Sequence, residues 1–225
     1  MVMHLNPEDH AAVTAAVKAA EANTSGEIVT IVAGRSDSYV DIGVHYAALA
    51  MLLVLAVLAT FPEWVDHLHA LIRDPWTDHV STGAALTIAT ALAALAFVAV
   101  RLILTAAPLR IALTPRATKA RRVRRRALAL FRASAEHRTM AATGVLLYLS
   151  LAEHRAEIIA DVGIHERVSP DVWGHAMAAL IAGVKDGRAG EGMAAAVEEI
   201  GVVLAEHFPR SGSNPNELPD RLIEL

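Results

Sequence analysis

The chain has 225 residues, a formal net charge of −4 and no cysteine. The missing cysteine excludes a disulfide framework, a thiolate nucleophile and any cysteine-ligated metal centre. Mean hydropathy is high at +0.40, and two long apolar runs carry most of it; setting them aside leaves about 160 residues, enough for one domain with its own core.

Residues 1–8 hold neither a basic nor an apolar leader segment, so no signal peptide is predicted there. Asn6-Pro7-Glu8-Asp9 reads as a helix start: Asn6 caps, Pro7 takes the first helical position, and two carboxylates face the positive end of the helix dipole. That helix is expected to reach about residue 22, with Val13 and Val17 on a modest apolar stripe that suits packing against a sheet. Thr24-Ser25-Gly26 breaks it. Residues 27–33, EIVTIVA, are nearly continuously apolar and rich in β-branched side chains, as expected of a central strand.

The apolar runs follow at 43–61 and 83–104, separated by about twenty mixed residues. Each is close to the ~20 residues with which a helix crosses ~30 Å of hydrocarbon. Burial as core helices of a soluble domain is the competing reading, but 48–59 has no polar face. Tyr46, Trp64 and Trp76 suit the membrane interface. The intervening loop holds Glu63, Asp66, Asp74 and Asp78 against one basic residue, Arg73. Its Asp66, His67, His69, Asp78 and His79 have the chemistry of zinc ligands but no rigid ligand spacing, and a solvated loop accounts for them.

A basic stretch follows the second run: Arg116, Lys119, Arg121, Arg122, Arg124, Arg125 and Arg126. Dense arginine is a footprint for phosphate. Nucleic acid is one reading, but directly after a membrane span anionic lipid headgroups are the simpler partner, at ~1 kcal/mol per close basic residue. Counting Lys and Arg puts this end in the cytoplasm and the short loop outside, so both termini share the cytoplasmic side of a bacterial inner membrane. The hairpin then becomes an insertion into one folded domain. The expected divisions are 1–42, 43–105, 106–208 and a polar, loosely held tail at 209–225.

Residues 118–137 return to a helical pattern with Val123, Leu128, Leu130 and Phe131 as apolar positions. Residues 145–151 read as a buried strand, Glu153-His154-Arg155 as a tight polar turn, and 156–162 as the more exposed partner strand of a hairpin. Ser169-Pro170 starts a helix to Lys185 that places Trp173 in the core. A last helix runs over about 190–207 with Met193, Val197, Ile200 and Leu204 inward.

The carboxylates of interest lie at strand ends. Glu27 opens the first strand, Asp161 closes the third, and His165 and Glu166 follow in a loop. Converging edges would make an oxygen-rich Ca2+ or Mg2+ site from Glu27, Asp161 and Glu166, with His165 as a general acid. Otherwise Glu153, Glu157 and Asp161 are ordinary solvent-facing hairpin residues.

The order helix, strand, strand, strand, helix, helix carries TSGEIV at 24–29 and RTxxxTGVLLYLSLAEHRAEIIADVGI at 138–164. It resembles the TPM domain family, named for a thylakoid lumen protein, a photosystem repair protein and a nematode receptor-associated membrane protein. The resemblance covers 6–33 and about 119–208, and NELPD at 216–220 is similar to a bacterial membrane-protein subgroup. It implies an α/β/α sandwich around a small sheet, here interrupted by a two-helix transmembrane hairpin. Members are proposed as acid phosphatases, calcium binders, and assembly or repair factors. Glu27 and Asp161 match the family's acidic positions, whereas VGIHE at 162–166 departs from its glycine-richer GxGxE.

The expected function is that of an integral membrane protein whose cytoplasmic domain binds another protein or assists a membrane complex, without a cofactor. No GxSxG, HExxH or phosphate-cradling glycine loop is present in the sequence. The alternative is a divalent-metal-dependent phosphomonoester hydrolase. A pore would require a homo-oligomer, and neither span carries a charge at mid-depth.

Overall fold

The computed structural model describes residues 5–72, 80–134, 143–210 and 218–225. Two compact units emerge, one from Met1–Asp37 with Pro115–Leu225 and one from Ser38–Thr114. In chain order the described elements are α1 (Pro7–Glu21), β1 (Glu27–Ala33), α2 (Val40–Thr60), α3 (Glu63–Ile72), α4 (Thr82–Ile103) and α5 (Ala107–Leu113). They continue with α6 (Arg116–Ser134), β2 (Gly144–Ser150), β3 (Arg155–Ala160), α7 (Val162–His165), α8 (Gly174–Lys185), α9 (Ala189–His207) and β4 (Ile223–Glu224).

In the first unit, α1 begins with a capping box. Asn6 Oδ1 accepts from the Asp9 amide at 2.7 Å and Asp9 Oδ2 accepts from the Asn6 amide at 3.0 Å, which satisfies donors a helix start leaves free. The sheet has the order β3-β2-β1-β4. β1 runs parallel to both β2 and β4, while β2 and β3 form the antiparallel hairpin.

Alternation along the strands feeds two apolar layers. Ile28, Val32, Val145, Leu147 and Leu149 pack with Val13 and Val17 of α1, Leu180 of α8, and Met193, Val197, Ile200 and Leu204 of α9. On the opposite face Val29, Ile31, Leu146, Tyr148 and Ile159 meet Val123, Ala127 and Phe131 of α6. With both faces covered, β1 and β2 are buried along their whole length, which explains their unbroken apolar sequence. Each such Val, Leu or Ile contributes roughly 1.5–3 kcal/mol.

Some expectations change. The segment after Ser169 is a short 3-10 turn, Pro170–Trp173, followed by α8, instead of one helix. β3 stops at Ala160, and the residues expected to continue as a loop form α7. The described part of the tail is not loose: β4 pairs with β1, and Leu218 and Leu222 are buried. Glu153 and Asp161 are buried instead of solvent-facing. Glu157 is mostly covered and accepts a 3.2 Å hydrogen bond from Arg124.

The second unit holds α2 and α4, packed against each other, with α3 and α5. Both long helices are long and apolar enough to cross a membrane. Only 17% and 6% of their most apolar windows are buried, which separates them from the core helices of a soluble protein. Leu49, Leu52, Leu53, Leu86, Leu95 and Leu102 are exposed. The segment read as a polar loop contains α3, which carries Asp66, His67 and His69; Trp64 stacks on Phe61 at 6.1 Å. Asp74, Trp76, Asp78 and His79 lie outside the described residues.

Candidate functional site

The two carboxylates singled out from the sequence share one row of the sheet. Glu27 pairs in register with Gly144, and the Asp161 amide donates to the Gly144 carbonyl at 2.9 Å. Strand alternation puts Glu27 on the α6 face with Val29, and Asp161 on the same face with Ile159. They are nevertheless two strand spacings apart, ~10 Å between backbones.

Their surroundings differ. Asp161 caps α7, its Oδ1 accepting from the Val162 amide at 2.8 Å, while its Oδ2 is buried with no hydrogen-bond partner. Glu27 is buried and its Oε2 accepts from the Leu218 amide at 3.3 Å. On that side Glu27 faces further acids. Glu21 accepts from the Ile28 amide at 2.7 Å, and its carboxyl is pushed up to about 8. Burial is the main cause, opposed by the Ile28 hydrogen bond and reinforced by the negative charges of Glu27 and Asp220. His165 and Glu166 are exposed.

Glu21 supplies a pH test. Its folded pKa lies above the ordinary 4.5, so the folded chain holds the proton more tightly and its stability declines as pH rises through about 8. Glu21→Gln, whose amide oxygen can keep the Ile28 hydrogen bond, is expected to flatten that slope. Denaturation at pH 9 should show a gain of about 2 kcal/mol after solvent screening, and none at pH 4.

Asp161 also lines a groove of about 740 Å3 along β3, the outer strand of the sheet. Phe131, Ile159, Trp173 and Met177 give it an apolar floor, and Arg124, Glu157 and His165 a polar rim. Because the Asp161 amide bonds to β2, antiparallel alternation turns the backbone N–H and C=O groups of Ala156, Ile158 and Ala160 away from β2, toward this open side. The groove therefore offers apolar surface, charge and a free strand edge together. Reading β3 as one member of a hairpin leaves this edge unseen, because strand order decides it.

A second polar constellation, at the opposite end of β1 and β2, also lay beyond sequence reasoning. The Ser36 amide donates to Glu153 Oε1 at 3.0 Å, and the Ser36 hydroxyl donates to Ser150 Oγ at 2.8 Å. Ser150 in turn donates to Glu153 Oε2, and the Tyr148 hydroxyl lies 2.9 Å from Ser36 Oγ. Burial pushes the Tyr148 phenol up, partly offset by its bonds to the two serines. These contacts brace the segment that leaves β1 against the end of β2.

The arginines of α6 divide. Arg122 is largely covered and donates to Asp37 at 3.0 Å, with Arg125 3.7 Å from the same carboxylate, while Arg116, Arg121 and Arg126 are exposed and Lys119 half-buried.

Among the described residues no three His, Asp or Glu side chains converge to hold a metal ion. The orphaned Asp161 Oδ2 would be one ligand where Ca2+ takes 6–8 oxygens. The described side chains alone therefore do not complete such a site.

Residues 104–203 match the family model described as the TPM domain. The match leaves out 6–33, although β1 occupies an inner position of the sheet. No curated protein matches the chain. Among solved structures, the NMR structure of the BA42 protein from the psychrophilic bacterium Bizionia argentinensis is similar, with 20% identity, a TM-score of 0.55, and coverage of 98% of this chain and 94% of that one. At that identity the likeness concerns the fold alone. The matched segment supplies α6, β2, β3, α7, α8 and most of α9, among them the α6, β3 and α8 residues that line the β3 groove, and this part of the chain is similar to the TPM domain.

Proposed function

We propose that this is a two-pass integral protein of a bacterial inner membrane whose TPM domain, on the cytoplasmic side with both termini, binds a protein partner in assembling or maintaining a membrane complex. The observation that carries partner binding is the open edge of β3 beside an apolar groove. An extended peptide adds to such an edge through main-chain hydrogen bonds and places alternate side chains in the flanking groove. Placement in the membrane is supported by the exposed apolar surfaces of α2 and α4, and sidedness by the basic residues that follow α4. Arg116, Lys119, Arg121 and Arg126 face anionic headgroups, with Arg122, Arg124 and Arg125 sharing that charge with Asp37 and Glu157. Nucleic acid is not the partner.

Ala156→Pro removes an outward N–H from β3 and spares the ladder to β2, a position where an edge strand tolerates proline. In-cell cross-linking from a photoreactive residue at Met177 should give a partner adduct that falls at least about tenfold in this variant. An undiminished adduct would contradict strand addition.

The buried Oδ2 of Asp161 favours a second reading, a divalent cation held with Glu27 and Glu166 for phosphomonoester hydrolysis, with His165 as acid. Calorimetric titration with Ca2+, Mg2+, Mn2+ and Zn2+ separates the two. Partner binding predicts no saturable heat in the wild type, whereas stoichiometric binding lost in Asp161→Ala and Glu27→Ala would establish the hydrolase reading instead.

A further inference from the structure

Arg110 lies on α5, immediately beyond the second long helix, and the residue is only 9% exposed. Its stem runs over Gly43 of α2: a Cβ at that glycine would stand 3.7 Å from Arg110 Cδ and 3.5 Å from Leu104 Cβ. The backbone around it is satisfied, the Arg110 amide donating to Ala106 and its carbonyl accepting from the Thr114 hydroxyl at 2.7 Å. In the guanidinium, Nε is enclosed without a hydrogen-bond partner among the described residues.

Arginine stays charged in proteins, so the group cannot relieve this by losing its proton. An enclosed guanidinium N–H left without an acceptor is unfavourable. The described residues supply no acceptor for it. Arg110 sits where α5 is tied back to α2, the Tyr46 hydroxyl donating to the Leu113 carbonyl at 3.1 Å. With α2 and α4 in a bilayer this is headgroup depth, where the abundant anion is a phosphodiester whose paired oxygens match the guanidinium fork.

We infer that Arg110, seated over Gly43, binds the phosphate of a phospholipid headgroup. This differs from the diffuse attraction of the exposed α6 arginines, because a single lipid is held at a built position. The inference rests on the membrane reading of α2 and α4.

The test uses the full chain. Flotation with phosphatidylglycerol vesicles checks the membrane reading by itself, and wild type that stays at the bottom of the gradient would sink both. Protein that floats is extracted into lipid-free detergent and weighed by native mass spectrometry. Wild type is expected to retain phosphatidylglycerol, and its absence would overturn the site whatever the variants do. Arg110→Met, which keeps the stem over Gly43, should lower retention about tenfold or more, whereas Lys185→Gln, exposed at the end of α8, should not. Equal retention in Arg110→Met and wild type would also refute the site. Inorganic phosphate added to lipid-free protein should leave its melting temperature unchanged; stabilisation equal to that by lipid would assign the site to a soluble anion instead.

Discussion

Gly183→Ala is expected to destabilise the sheet-bearing unit by about 3 kcal/mol, against the sign that helix propensity predicts. In an open helix alanine gains up to ~1 kcal/mol over glycine. Gly183 is not in an open helix. A Cβ there would stand 2.4 Å from Gly192 Cα, 2.7 Å from Gly192 N and 2.9 Å from the Arg188 carbonyl oxygen, all backbone atoms that no rotamer change can move. The reverse face of the contact is as close, since a Cβ on Gly192 would lie 2.9 Å from the Leu180 carbonyl. Helices α8 and α9 thus meet backbone to backbone, and forcing them apart strains a closely packed core. Urea unfolding of the full chain in micelles reads the effect, with Trp64 and Trp76 replaced by Phe so that buried Trp173 reports alone. A neutral or stabilising result would mean that the helices separate without loss.

Removal of the Glu153 carboxylate is the second large effect. Glu153→Ala leaves the Ser36 amide and the Ser150 hydroxyl without their shared acceptor in a buried setting, and about 3 kcal/mol should be lost. Glu153→Gln keeps one acceptor oxygen and should cost about 1 kcal/mol. The two variants also differ locally. Hydrogen exchange at residues 34–37 should accelerate strongly in Glu153→Ala, because Glu153 fixes the segment that leaves β1. Unchanged protection there would make the contact incidental.

These contacts mark where sequence reasoning stops. β1 and β2 were legible because covering both sheet faces leaves no polar position in them, and α9 because Met193, Val197, Ile200 and Leu204 recur at helical spacing on one buried face. α1 was legible from Asn6 and Pro7. Helix α3 was missed although Trp64, Val65, Leu68 and Leu71 hold helical spacing, because its charged residues drew the reading toward a loop. β4 had no local signal: two residues pair with β1 only because Leu218 and Leu222 find room in the core. Glu153 in Glu-His-Arg looks like any exposed turn, and its burial follows from where Ser36 arrives along the neighbouring strand. For the candidate site, Glu27 and Asp161 were correctly placed at strand ends. The ~10 Å between their strands and the company of Glu21 and Asp220 depend on strand order and on the tail.

The cysteine-free chain allows a clean test of the proposed membrane hairpin and of the side on which the sheet-bearing unit lies. Single cysteines replace Leu71, 82% exposed on α3, and Val202, 64% exposed on α9. Intact spheroplasts are then treated with a membrane-impermeant maleimide. Labelling at position 71, with position 202 reacting only after lysis, is the predicted result. Labelling at 202 in intact cells, or release of the chain as a soluble protein, would contradict it.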